Sequence, residues 1–132
     1  MQLSQLDHLV LTVTDMARTR DFYVRVLGME AITFGAADTP RHALAFGTQK
    51  INLHQAGKEF EPKAAHPLPG SADLCFLTTT PLTEVIAHLT QVGQPILEGP
   101  VQRTGAQGSI LSVYIRDPDG NLLEIANQLA TN

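Results

Sequence analysis

A few polar side chains stand where strands are otherwise apolar. His8 lies inside Leu-Asp-His-Leu-Val-Leu-Thr-Val at residues 6–13, and Asp73 opens the run Asp-Leu-Cys-Phe-Leu. Glu124 is enclosed in Leu-Leu-Glu-Ile-Ala, and Asn52 and His54 alternate with Ile51 and Leu53. Strand side chains alternate between two faces, so parity says which residues look the same way. Leu9, Leu11 and Val13 share one face, and His8 shares the other with Val10 and Thr12. By the same rule Asp73 goes with Cys75, Glu124 with Leu122 and Ala126, and Asn52 with His54. If the sheet curls, His8, Asp73, Glu124 and either Asn52 or His54 converge on a concave interior. Imidazole with carboxylates is a ligand set for a divalent ion: iron, manganese, nickel, cobalt or zinc. Carboxylates held in a partly buried cup are costly alone, and a cation offsets that cost.

The elements that position these residues occur twice. In the first half a strand over 6–13 precedes a helix capped by Asp15, whose carboxylate accepts from the free N–H groups of the first turn. Met16, Thr19, Phe22, Tyr23, Val26 and Leu27 recur at helical spacing, and Gly28 stops the helix. Strands are expected over 30–34, 43–46 and 50–54. In the second half a strand over 73–78 leads to Thr80 as cap and Pro81 at the first helical position. Leu82, Val85, Ile86, Leu89 and Val92 form the stripe and Gly93 ends it. Strands are expected over 95–98, 110–115 and 121–127, with Asp117-Pro118-Asp119-Gly120 as the last turn. His8 and Asp73, Asp15 and Thr80, and Gly28 and Gly93 are all 65 positions apart. A strand–helix–strand–strand–strand unit used twice is the simplest interpretation. The expected fold is α+β: two βαβββ modules paired into one curved, cup-shaped mixed sheet with helices on the outer face. Module one spans about 5–56 and module two about 71–128 of a single 1–132 domain. Residues 57–70, rich in proline and charge, read as a linker long enough to form a substrate wall. Residues 99–109, with Gly99, Gly105 and Gly108 around Arg103, read as a second loop.

Composition narrows the function. The chain has 132 residues, 43% hydrophobic and 17% charged, with a net charge of −4, which is the profile of one globular domain. Nine scattered Lys and Arg argue against a nucleic-acid partner. Cys75 is the one cysteine, so a disulfide within the chain and a thiolate zinc cage are excluded. Nothing near Cys75 lowers its pKa, and it reads as a small buried residue. His42, His66 and His88 read as surface residues, and Asp117 and Asp119 as turn formers. No basic start with an apolar core marks a signal peptide, and no run approaches the roughly 20 apolar residues of a membrane span. A cytoplasmic protein without membrane contact is expected.

The same residues resemble the vicinal oxygen chelate superfamily, which includes glyoxalase I, extradiol dioxygenases, fosfomycin-resistance enzymes and bleomycin-binding proteins. The likeness is carried by residues 6–13, by Asp21-Phe22-Tyr23 through Val26-Leu27-Gly28-Met29-Glu30, and by Arg116-Asp117-Pro118-Asp119-Gly120-Asn121-Leu122-Leu123-Glu124-Ile125. Within it the chain resembles the glyoxalase domain-containing protein 5 type, through residues 49–54, 57–64, 69–74 and 98–106. The resemblance implies metal ligands on the first, fourth, fifth and eighth strands. His8 and Glu124 match the first and last; Asp73 falls where glyoxalase I has histidine, and Asn52 where it has glutamate, with His54 two residues on. It also implies a homodimer.

The expected activity is that of a metal-dependent, glyoxalase-like lyase or isomerase of the lactoylglutathione lyase type. Its substrate is a small oxygen-rich metabolite chelated through neighbouring oxygens. Asn52 has no basic group, so Glu124 or Asp73 would move the proton. Metal ligands are expected among His8, His54, Asp73 and Glu124. Asn52, Lys58, Lys63 and Arg103 would meet the substrate. The alternatives are an iron-dependent extradiol-type dioxygenase using His8, His54 and Glu124, and a metal-free binding protein of the resistance type.

Overall fold

The computed structural model describes residues 1–130. The chain divides into two compact units, Met1–Gly70 and Ser71–Asn132. The first contains β1 (His8–Val13), α1 (Met16–Arg25), β2 (Glu30–Phe34), β3 (Arg41–Phe46) and β4 (Gln49–Gln55). The second contains β5 (Asp73–Leu77), α2 (Leu82–Gln91), β6 (Glu98–Gly105), β7 (Gly108–Arg116) and β8 (Leu122–Gln128). The fold is α+β, and each unit is the βαβββ module that the 65-residue offset predicts. Each builds a four-stranded mixed sheet, with strand orders β1-β4-β3-β2 and β5-β8-β7-β6. The first strand of each module runs parallel to the last, and the remaining pairs are antiparallel.

In the first unit Asp15 caps α1, its Oδ1 accepting from Arg18 N at 3.0 Å. Thr19, Phe22 and Tyr23 are the buried stripe of that helix. It packs on β2, β3 and β4. Leu11, Val13, Leu44, Ile51 and Leu53 are buried. These strand positions have the parity opposite to His8, Asn52 and His54, so the polar set occupies the other face of the sheet. Residues 57–70 group with this unit.

Two expectations need correction in the second unit. Thr80 does not cap α2: Pro81 occupies the cap position, with no side-chain hydrogen bond. The end is held instead from β8, where Asn127 Oδ1 accepts from Leu82 N at 2.8 Å. Asn127 Nδ2 donates to the carbonyls of Thr78 and Thr80. Residues 95–98 are not a strand of their own; pairing begins at Glu98, and most of the expected 99–109 loop is strand β6. This strand lies at the sheet edge and is mostly exposed, so it lacks the apolar alternation that marks a half-buried strand. Its register with β7 shifts between Glu98 and Val101, and Gly99 sits at that irregularity with φ +112°. A Cβ at Gly99 would collide with Ser112 O and come within 2.9 Å of Val113 Cα. Glycine is therefore required there for its missing side chain as much as for its φ.

Candidate functional site

β8 carries Glu124 between Cys75 of β5 and Tyr114 of β7, its partners in the two ladders. Ladder partners point to the same face, so the three side chains form a row across the sheet. Ser112, two residues from Tyr114, lies on that face and donates its hydroxyl to Glu124 Oε2 at 2.5 Å. The row borders a cavity of about 490 Å³ whose lining includes Cys75, Arg103, Thr104, Tyr114, Glu124 and Gln128. Arg103 reaches it from β6. Its Nε donates to Tyr114 Oη at 3.1 Å, and another guanidinium nitrogen donates to Glu98 Oε1 at 3.2 Å. A guanidinium and a carboxylate thus line one recess, the pairing needed to hold an anionic group near a base.

Cys75 is exposed, not buried as the sequence suggests. Its pKa is pushed up to about 11 by partial burial, by the Glu124 carboxylate, which also takes its hydrogen bond, and by Asp73. The thiol is therefore unreactive at neutral pH, and its environment is a local excess of negative charge. Asp73 is exposed at the start of β5. It pairs with Leu122, two positions along the ladder from the Cys75–Glu124 pair. That spacing corresponds to roughly 7 Å along the strands.

The first unit places its candidates differently. His8 is exposed, and its Nδ1 is 2.7 Å from Asp7 Oδ2. A carboxylate on Nδ1 favours the tautomer with its proton there and leaves a lone pair on Nε2. His54 is 5% exposed, and its Nε2 receives a hydrogen bond from Arg41 at 3.5 Å. His8 is level with Lys50 and His54 with Thr12 in the β1–β4 register. Four positions separate them, roughly 13 Å along the strands, too far for one ion. A guanidinium beside Nε2 also opposes a second cation there. Burial, then Arg41, holds the His54 pKa below its ordinary 6.5 against an opposing pull from Glu59.

Asn52 is 7% exposed, and its Oδ1 has no hydrogen-bond partner among the described residues. Lys58 is exposed in the loop after β4. Lys63, also exposed, lies 2.8 Å from Glu61. Among the described residues no group of three His, Cys, Asp or Glu side chains is gathered as a metal cage. The structure thus brings Glu124 and Arg103 together, with Asp73 close by in the same ladder. It separates His8 from His54. Ser112 and Tyr114 were missed in the sequence, although the parity rule that singled out Glu124 applies equally to their strand.

The Glyoxalase/Bleomycin resistance protein/Dioxygenase superfamily matches residues 5–125. The chain belongs to this superfamily. Virulence protein STM3117 from Salmonella typhimurium is 59% identical over 126 residues, covering 96% of this chain and 85% of that protein. Its crystal structure superposes with a TM-score of 0.93 over 98% of this chain and 100% of that one. Glyoxalase domain-containing protein RDO1 from Mycosarcoma maydis is 54% identical, covering 96% of this chain and 70% of that protein. An integron cassette protein from the mobile metagenome of V. cholerae is 58% identical, with a TM-score of 0.93 and 98% of each chain covered. The superfamily match takes in both βαβββ modules and ends at Ile125, one residue beyond Glu124.

Proposed function

We propose that this superfamily member is a metal-dependent, glyoxalase-like lyase or isomerase for a small, oxygen-rich, anionic metabolite. The observation that carries this proposal is the pairing of Glu124 with Arg103 around one cavity. The donor chemistry of Asp73 and Glu124 of the second unit fits a divalent ion. Both are hard oxygen donors, and the negative charge around Cys75 favours a cation nearby. A bound divalent ion would supply Lewis-acid polarisation of substrate oxygens, which would acidify an adjoining C–H bond. Glu124, already in the cavity wall, takes that proton, and the Ser112 hydroxyl and Cys75 thiol hold its carboxylate in place. Arg103, anchored by Tyr114 and Glu98, holds the anionic end. Lys58 and Lys63 lie outside this account. Iron-dependent ring cleavage would need His54 as a second imidazole ligand, and Arg41 beside its Nε2 weighs against that role. The working form is a cytoplasmic homodimer.

Metal analysis of protein purified without an affinity tag tests the proposal. About one divalent ion per chain is expected, with loss of at least tenfold in affinity in Glu124→Ala and Asp73→Ala. Protein that stays empty when metal is added overturns the metal assignment and makes the cavity a binding pocket. Once a substrate is found by screening α-oxoaldehyde-derived adducts, Glu124→Gln should lower kcat by about 100-fold or more, the usual weight of a general base. Unchanged turnover removes Glu124 from the chemistry.

A further inference from the structure

The first unit holds a polar cluster that the proposed chemistry does not use. Lys50, Asn52 and His54 alternate along β4 and therefore share the face turned away from Ile51 and Leu53. Arg41 of β3 joins them through His54. Among the described residues the ion pairs are His8–Asp7, Arg25–Asp21, Lys63–Glu61 and Arg103–Glu98, so neither Arg41 nor Lys50 has a carboxylate partner. Both rest on aromatic rings instead. The Arg41 guanidinium carbon is 4.6 Å from the Phe60 centroid and 5.7 Å from that of Phe34; Lys50 Nζ is 4.2 Å above Phe34. Glu59 lies near enough to influence His54, but its Oε1 accepts from Gly57 N.

Stacking occupies the flat face of a guanidinium and leaves its N–H edge free. Arg41 spends one such donor on His54 and keeps the rest. A charge-assisted hydrogen bond outweighs an exposed cation–π contact, and the two use different parts of the guanidinium, so an oxyanion adds to this arrangement without having to displace it. Beside the cations, the buried Asn52 Oδ1 needs a donor. The required ligand combines an oxyanion with a neighbouring hydroxyl.

We propose that Arg41, Lys50 and Asn52 form a binding site for a small 2-hydroxy acid, its carboxylate on the two cations and its hydroxyl donating to Asn52 Oδ1. Phe34 and Phe60 wall the site and fix the cations. The proposal stands on the first unit alone and does not rest on the metal assignment.

Glycolate and acetate, which differ by that hydroxyl, are the probes, titrated into the full-length protein at low salt and followed by 15N-resolved NMR. Glycolate should bind the wild type more tightly than acetate, with shifts on β3 and β4. Arg41→Gln and Lys50→Gln should each weaken glycolate by about tenfold or more, the loss of one charge-assisted contact. Asn52→Ala should bring glycolate down to the affinity of acetate. Lys50 is only half-buried, so its variant tests the site even if Arg41→Gln impairs folding. Equal binding of the two acids by the wild type, glycolate binding untouched in Lys50→Gln, or binding lost in Arg103→Gln but kept in Lys50→Gln each overturns the proposal.

Discussion

Cys75 and Glu124 face each other across the β5–β8 ladder, and each leaves a signature on the other. A thiol held near 11 instead of its ordinary 9.0 is ionised roughly 100-fold less at pH 8, so iodoacetamide should label Cys75 about 100 times more slowly than a free thiol. Glu124→Gln should restore part of that rate, the share set by burial remaining; a fast wild-type reaction contradicts the assigned contact. The linkage has a definite sign. The folded thiol keeps its proton after the unfolded one has lost it, so its contribution to stability is complete below about pH 9 and is lost as pH rises towards 11. His54 behaves oppositely: its folded pKa lies below 6.5, so stability from this group is present above 6.5 and lost as pH falls through the folded value. Its ring resonances should titrate below pH 6.5, and Arg41→Gln should move the midpoint upward. Glu124 was legible in the sequence because a period of two is a property of the backbone and needs no partner to be seen. The roles of Arg41 and Phe60 were not, since they arise from a contact between β3 and the loop after β4 that no local spacing encodes.

Asn127 ties β8 to the start of α2 through three hydrogen bonds, so one side chain does the work expected of Thr80. Asn127→Ala should cost about 1–2 kcal/mol, near the upper end for a lost cap, whereas Thr80→Ala should change stability by less than about 0.5 kcal/mol. Urea unfolding of both variants separates the two assignments. Gly99→Ala must push aside the Ser112 carbonyl and strain a positive φ, and a loss of about 2 kcal/mol or more is expected in the same assay. At this scale the sequence was most readable where a helix stripe or a half-buried strand imposes a period. The first cap, the first-unit strands and the 65-residue repeat all follow from such local signals. β6 escaped because an exposed edge strand needs no apolar alternation, and its glycines resembled those of a loop. Asn127 escaped for a different reason, lying 45 residues from the amide it caps.

Both units share one topology, yet they differ in one dimension. β2 and β3 have 5 and 6 residues, whereas their counterparts β6 and β7 have 8 and 9. The duplicated plan was visible in the sequence because helix and first strand keep their offset, but the longer hairpin was hidden inside an apparent loop. At the level of assembly, the proposed homodimer predicts a sedimentation mass near twice 14.3 kDa and a Tm that rises with protein concentration. A concentration-independent mass of one chain argues against it. The longer hairpin has an evolutionary meaning as well. Arg103, Thr104, Gly105, Ala106 and Gln107 are consecutive residues of the cavity lining, whereas Val113, Ile115, Leu123 and Ile125, which are buried in the same unit, come from other stretches of chain. Mutations in five adjacent codons can therefore retune what the cavity accepts while the core residues stay as they are, which gives natural selection a short exchangeable segment on an unchanged scaffold.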